Sequence, residues 1–170
     1  MMKRSAFPYG ASYYPMVFPE NTWDFDLDKM KEAGITVIRT NDIHGSWDRL
    51  EPQRGHFRFD VLERFYRKAG ERQIKILLST GAASPPLWLA HQYPDARILS
   101  HKGQRYPLGS TYHWHCIHHS GYRAESERFL DLLASWAVKQ PEHFGWQISN
   151  ELGFPFKAAR DRNGPENTPL

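Results

Sequence analysis

The sequence has little cysteine and no long apolar run. Cys116 is the single cysteine among 170 residues, which excludes an internal disulfide and is typical of a reducing compartment. No apolar stretch approaches the ~18 residues of a transmembrane helix. The first ten residues, MMKRSAFPYG, also lack the apolar core of a signal peptide. We therefore expect a soluble, cytoplasmic protein with no membrane partner.

An excess of one charge is also missing. Lys and Arg number 22 against 19 Asp and Glu, so the formal charge is +3, and the basic residues are dispersed. Without a dense basic stretch, no nucleic-acid partner is predicted. The sequence contains no phosphate loop, no Gly-x-Gly-x-x-Gly and no Gly-x-Ser-x-Gly. These absences disfavour a dinucleotide enzyme and a serine hydrolase, and we expect no cofactor.

The residues that are present indicate a globular domain. Hydrophobic residues make up 40% and aromatic residues 14%, which is too apolar for a disordered chain. The length corresponds to about one domain, which we place at residues 1–156. Residues 157–170, KAARDRNGPENTPL, are polar and are predicted to form a loose tail.

Strand and helix patterns alternate along the chain. The predicted strands lie within residues 9–15, 35–40, 74–80 and 144–149, and the main helices within residues 21–34, 60–73 and 122–140. The second and third strands are apolar without alternation, as in strands buried on both faces. Four such repeats predict an α/β fold with a parallel sheet, and the long strand-to-helix loops indicate an α/β barrel. In that fold the chemistry lies at the carboxyl ends of the strands.

The stretch GWQISNELG, residues 145–153, places Asn150 and Glu151 where the fourth strand ends. Burial raises the pKa of a carboxyl group, which suits a general acid near neutral pH. The alternative is an ion pair of Glu151 with an arginine such as Arg39 on a neighbouring strand end, which would be purely architectural. From the residues alone both interpretations stay open.

Aromatic and histidine-rich loops offer further candidates. Trp47 and Trp114 lie in strand-to-helix connections, where exposed rings would stack on sugar faces, although most tryptophans pack in cores. The segment HWHCIHH, residues 113–119, matches no closed four-ligand zinc pattern. We expect no metal there, a free thiol at Cys116 and a polar loop that faces substrate.

Four segments in register carry a family resemblance. They are IRTNDIHGSWDRLEPQRGHFRFDVLERF, LLSTGAASPPLWLAHQYPD, CIHHSGYR and GWQISNELG. Together, from Tyr9 to Phe156, they resemble the β-galactosidases of glycoside hydrolase family 42. The resemblance implies the N-terminal half of a (β/α)₈ barrel, with about four βα units. A half barrel has open sheet edges, so a homo-oligomer is possible.

The resemblance also implies roles for individual residues. Glu151 would be the catalytic acid/base, and Asn150 and Arg39 would bind the sugar. Tyr112 stands where the family usually has a sugar-binding arginine, which puts galactose itself in question. The cysteines that complete a zinc site in some members are missing after Glu151.

The implied activity is hydrolysis of terminal β-D-galactose, or a related β-glycoside, with retention of configuration. Retaining enzymes need a second carboxylate ~5–5.5 Å away as nucleophile. In the family this residue is a glutamate at the end of the seventh strand, and we expect this chain to lack it. The alternatives are an inactive sugar-binding remnant and a truncated fragment.

Overall fold

The computed structural model describes residues 7–42, 46–99, 103–106, 108 and 114–150. Its centre is one parallel sheet in the order β1-β2-β3-β4. The strands are β1 (Gly10–Ser12), β2 (Val37–Thr40), β3 (Lys75–Ser79) and β4 (His143–Gln147). Each parallel neighbour is reached through a helical crossover, as parallel pairing requires. The predicted parallel α/β fold is confirmed.

In the described residues, five helices connect and flank the strands. They are α1 (Trp23–Glu32), α2 (Trp47–Leu50), α3 (Phe59–Glu71), α4 (Leu87–Gln92) and α5 (Ser120–Ala137), with 3₁₀ turns at Glu20–Thr22 and Pro94–Ala96. The three predicted main helices correspond to α1, α3 and α5, whereas α2 lies in a segment predicted as loop. Three complete strand-to-helix units therefore precede β4, and whatever follows β4 lies outside the described residues. None of the helices in the described ranges combines the length and apolarity needed to cross a membrane.

The helices cover one face of the sheet and form the core with it. Ile38, Ile76 and Leu78 point from the strands into this layer and have no exposed surface. The helices contribute large buried side chains: Trp23, Leu27, Leu62, Phe65, Tyr66, Phe129 and Leu133. Each fully buried side chain of this kind contributes about 1.5–3 kcal/mol relative to an exposed one. This apolar layer positions the strands.

The opposite face of the sheet is open in the described part of the chain. Arg39 and Leu77 are register partners on this face, and both are only half-buried. At the sheet edge formed by β4, Phe144 is 55% exposed and Ile148, which follows Trp146 in the alternation on the helix side of the sheet, is 75% exposed. Parallel sheets normally have both faces covered. One covered face and one open face agree with a segment of a barrel.

Candidate active site

The carboxyl ends of the four strands meet at one edge of the sheet, because the strands are parallel. Side chains and backbone tie these ends together. The Asn41 side-chain amide donates to the Ser79 carbonyl at 3.0 Å. The Thr80 N–H donates to the Gln147 carbonyl at 3.0 Å, and its hydroxyl donates to the Ile148 carbonyl at 2.7 Å. In α/β barrels this edge carries the active site.

Arg39 lies at this edge inside a small polar cluster. Its Nε donates to the Ser12 hydroxyl at 3.0 Å, and its Nη2 lies 3.0 Å from a carboxylate oxygen of Asp42. The Tyr14 hydroxyl donates to the same oxygen at 3.2 Å. Between Arg39 and Asp42 the backbone turns at Asn41, whose φ of 67° is left-handed. This turn, which an asparagine tolerates better than most residues, folds Asp42 back beneath the guanidinium.

Asn150 lies at the same edge, after β4. Its side-chain oxygen accepts a hydrogen bond from the Gln147 amide at 3.2 Å. Since β3 lies between β2 and β4, Arg39 and Asn150 belong to strand ends separated by about two strand spacings, or ~10 Å. Glu151 follows Asn150 directly but lies outside the described residues, so its raised pKa and its pairing stay predictions.

The expected exposure of Trp47 and Trp114 is wrong. Trp47 has no exposed surface: its ring stacks on Phe129 with the centroids 4.8 Å apart, and its N–H donates to Glu51 at 2.7 Å. Trp114 is 3% exposed and belongs to the same apolar cluster. A ring that stacks on a sugar needs an accessible face. The expected exposure was the reason for assigning Trp47 and Trp114 to the site, and the structure does not show it. Tyr112 lies outside the described residues.

Sequence reasoning missed a buried carboxylate in the segment directly after α2. Glu51 has no exposed surface and accepts from the Gly55 N–H at 2.6 Å and from Arg128 at 2.6 Å. Arg128 also donates to Glu125 at 2.8 Å, which in turn accepts from Arg54 at 2.9 Å. This network fastens the loop after α2 to α5. The sequence signal was a glutamate between a leucine and a proline, four positions after Trp47, but its partner Arg128 is 77 residues away.

In the described part of the segment 113–119, His115 packs and His119 caps a helix, which contradicts the expectation that these two face substrate, whereas His118 is exposed. His115 is 4% exposed and stacks on Tyr122 at 4.0 Å, and burial raises the pKa of Tyr122. His119 caps α5 by accepting from the Tyr122 N–H. Its other nitrogen lies 3.2 Å from Asp95 and lowers the pKa of that carboxyl. Cys116 is a free thiol, and the described residues contain no cluster of three or more metal-ligating side chains.

A parallel four-stranded sheet with helices and polar groups at the carboxyl ends defines the class, which is the N-terminal part of a (β/α)₈ barrel. The solved β-galactosidase of Halorubrum lacusprofundi matches with a TM-score of 0.81 at 28% identity, over 90% of this chain and 25% of that one. The β-galactosidase of Marinomonas ef1 matches with a TM-score of 0.80 at 28% identity, over 85% of this chain and 22% of that one. The predicted fold class is therefore confirmed.

The family follows from sequence similarity. The glycoside hydrolase family 42 model, described as beta-galactosidase, matches residues 12–161. β-Galactosidase BgaH of Haloferax lucentense is 34% identical over 85% of this chain and 21% of its own length. β-Galactosidase YesZ of Bacillus licheniformis is 30% identical over the same shares. The chain belongs to glycoside hydrolase family 42, and it spans about a fifth of the length of the curated relatives it matches.

Proposed function

We propose that this chain forms the acid/base part of a retaining β-galactosidase that removes terminal β-D-galactose, or a related β-glycoside, from carbohydrates. The observation that carries the proposal is the position of Asn150 at the carboxyl end of β4, on the sheet edge that also holds Arg39. The family match and the names of the matched relatives support the substrate class.

Each residue has a chemical role in this proposal. Glu151 protonates the glycosidic oxygen and then removes a proton from the water that releases the sugar. Asn150 and Arg39 bind sugar hydroxyls, and Tyr112 contacts the sugar nearby. The nucleophilic carboxylate comes from a later strand of the complete barrel. We place the reaction in the cytoplasm, since the cysteine content is that of a reducing compartment.

A chimera tests the proposal. Residues 12–156 of this chain replace the matched segment of YesZ, and hydrolysis of an aryl β-galactoside is followed together with the anomer first released. We expect turnover with retention of configuration. A folded chimera that binds galactose but does not turn over would instead support the inactive sugar-binding remnant.

The substitution Glu151→Gln tests the assigned role in that chimera. We expect a loss of about 10²–10⁴-fold on galactosides with poor leaving groups, because protonation of the departing oxygen is removed. Substrates with very good leaving groups should suffer less, and added azide should restore turnover and give a β-galactosyl azide. Glu127→Gln, on the exposed side of α5 with its side chain 71% exposed, is the matched control. Full activity of Glu151→Gln on poor leaving groups would contradict the role.

A further inference from the structure

Asp42 is a buried carboxylate at the proposed sugar-binding edge that no catalytic step uses. Its side chain is 1% exposed, whereas that of its partner Arg39 is 37% exposed. A carboxylate so deeply buried cannot itself touch a bound sugar, but it lies 3.0 Å from the guanidinium that can. Asp42 can therefore act on a ligand through Arg39, whose guanidinium is partly exposed.

The contacts of Asp42 hold the guanidinium in one orientation. The Ser12 hydroxyl accepts a hydrogen bond from Nε of Arg39, and the Asp42 carboxylate forms an ion pair with Nη2. Within the described ranges, Nη1 of Arg39 has neither a hydrogen-bond nor an ion-pair partner, so its N–H groups are available to a ligand oxygen. The Tyr14 hydroxyl and the left-handed turn at Asn41 fix the carboxylate in turn. A guanidinium held at two of its three nitrogens loses little freedom when the third binds a ligand.

The same contact sets the charge of this edge. An arginine without a partner attracts carboxylates and phosphates strongly. Here the ion pair with Asp42 cancels the charge of Arg39 while leaving N–H donors exposed. Neutral donors suit a hydroxyl oxygen and give an anionic ligand no charge to pair with.

We propose that Asp42 is a positioning and specificity-determining residue: it orients Arg39 and neutralises it, so that this edge takes a neutral sugar and discriminates against an acidic one such as a galacturonide. The sugar part of this inference rests on the proposed function, whereas the charge part does not. Removing the Asp42 charge should turn the edge into an anion site.

Arginine Nε–H signals in NMR spectra of the ¹⁵N-labelled 170-residue chain test both parts. The Arg39 signal is assigned with Arg39→Lys, and acetate, D-galacturonate and D-galactose are titrated at constant ionic strength. The variants are Asp42→Asn and, as a control with the same change in net charge, Asp131→Asn at an exposed position of α5. Circular dichroism verifies that each variant folds.

We expect acetate and galacturonate to shift the Arg39 signal in Asp42→Asn with an affinity at least about fivefold above wild type, which is the Coulomb attraction of one charge pair at ~4 Å under nearly full water screening. The control should behave as wild type. An acetate affinity at Arg39 in wild type equal to that in Asp42→Asn, or the same gain in the Asp131→Asn control, would overturn the inference.

Two further readouts separate the possible failures. A gain for acetate without any response to the neutral D-galactose would support the neutralisation by Asp42 and count against the proposed function. If Asp42→Asn does not fold, hydrogen exchange in the wild-type chain still decides the positioning role. The Nη2–H groups of Arg39, which face Asp42 at 3.0 Å, should exchange more slowly than those of Arg49, whose side chain is 62% exposed. Equal exchange rates would overturn the positioning role.

Discussion

Glu51→Gln should destabilise the fold far more than a surface substitution of the same kind. The carboxylate has no exposed surface and accepts from the Trp47 side chain at 2.7 Å, the Gly55 N–H at 2.6 Å and Arg128 at 2.6 Å. A glutamine has one acceptor oxygen, so its NH₂ group must face at least one of these donors. Arg128 would also lose the charge partner that is completely buried.

The magnitude follows from the type of contact. Breaking a buried ion pair by removing one partner costs about 3–5 kcal/mol. The lower end applies here, because Arg128 keeps Glu125 at 2.8 Å and its side chain is 27% exposed. We expect a loss of about 3 kcal/mol and, at 2–4 °C per kcal/mol for a chain of this size, a melting temperature lower by roughly 9 °C. Glu51→Ala should lose more, since the buried Trp47 N–H would have no acceptor.

Urea unfolding followed by tryptophan fluorescence and by far-UV circular dichroism measures the effect. Glu32→Gln is the matched control, because Glu32 pairs with Lys29 at the surface with its side chain 64% exposed. Surface pairs of this kind contribute about 0–1 kcal/mol, so the control should remain close to wild type. A Glu51→Gln variant within about 0.5 kcal/mol of wild type would refute the assignment of Glu51 as the fastening point between the loop after α2 and α5.

Three further predictions follow from particular positions. Gly81→Ala should destabilise the fold by about 2–4 kcal/mol in urea unfolding, because its φ is +71° and an added Cβ would lie 2.9 Å from the Ser46 side chain. Gly34→Ala is the control: its φ is +81° but the space around it is open, so it should show only the backbone cost of about 1–2 kcal/mol. Equal losses in the two variants would contradict the predicted clash. Burial lowers the pKa of His143 below 6.5, so the unfolded chain binds the proton more readily and stability should fall as the pH drops through 6.5 towards the folded-state pKa; His143→Gln should flatten that slope, measured as unfolding free energy against pH, and an unchanged slope would exclude this histidine as its cause. The exposed apolar side chains on and after β4, including Phe144, should make the 170-residue chain self-associate in light scattering, and a monodisperse monomer with a cooperative melt would count against the open half-barrel.

The sequence by itself determined the order of the elements and the position of the site along the chain. Apolar runs without alternation predicted β2 and β3, and helical spacing of Leu62, Phe65, Tyr66 and Ala69 predicted α3; all four side chains are buried. These signals are local, because the period of a strand or helix shows in neighbouring residues. For the same reason the local strand pattern before Asn150 predicted that this residue lies just after β4.

The tertiary structure alone decided which polar and aromatic side chains meet. Trp47 is a loop tryptophan in the sequence, but Phe129, 82 positions later, covers its ring face. Glu51 and Arg128 form an ion pair although 77 residues separate them in the sequence. Asp42 contacts Arg39 because the backbone makes a left-handed turn at Asn41, and no hydrophobic pattern predicts that turn. Burial and ion pairing depend on the packing of distant segments, and a single sequence contains no local signal for that packing.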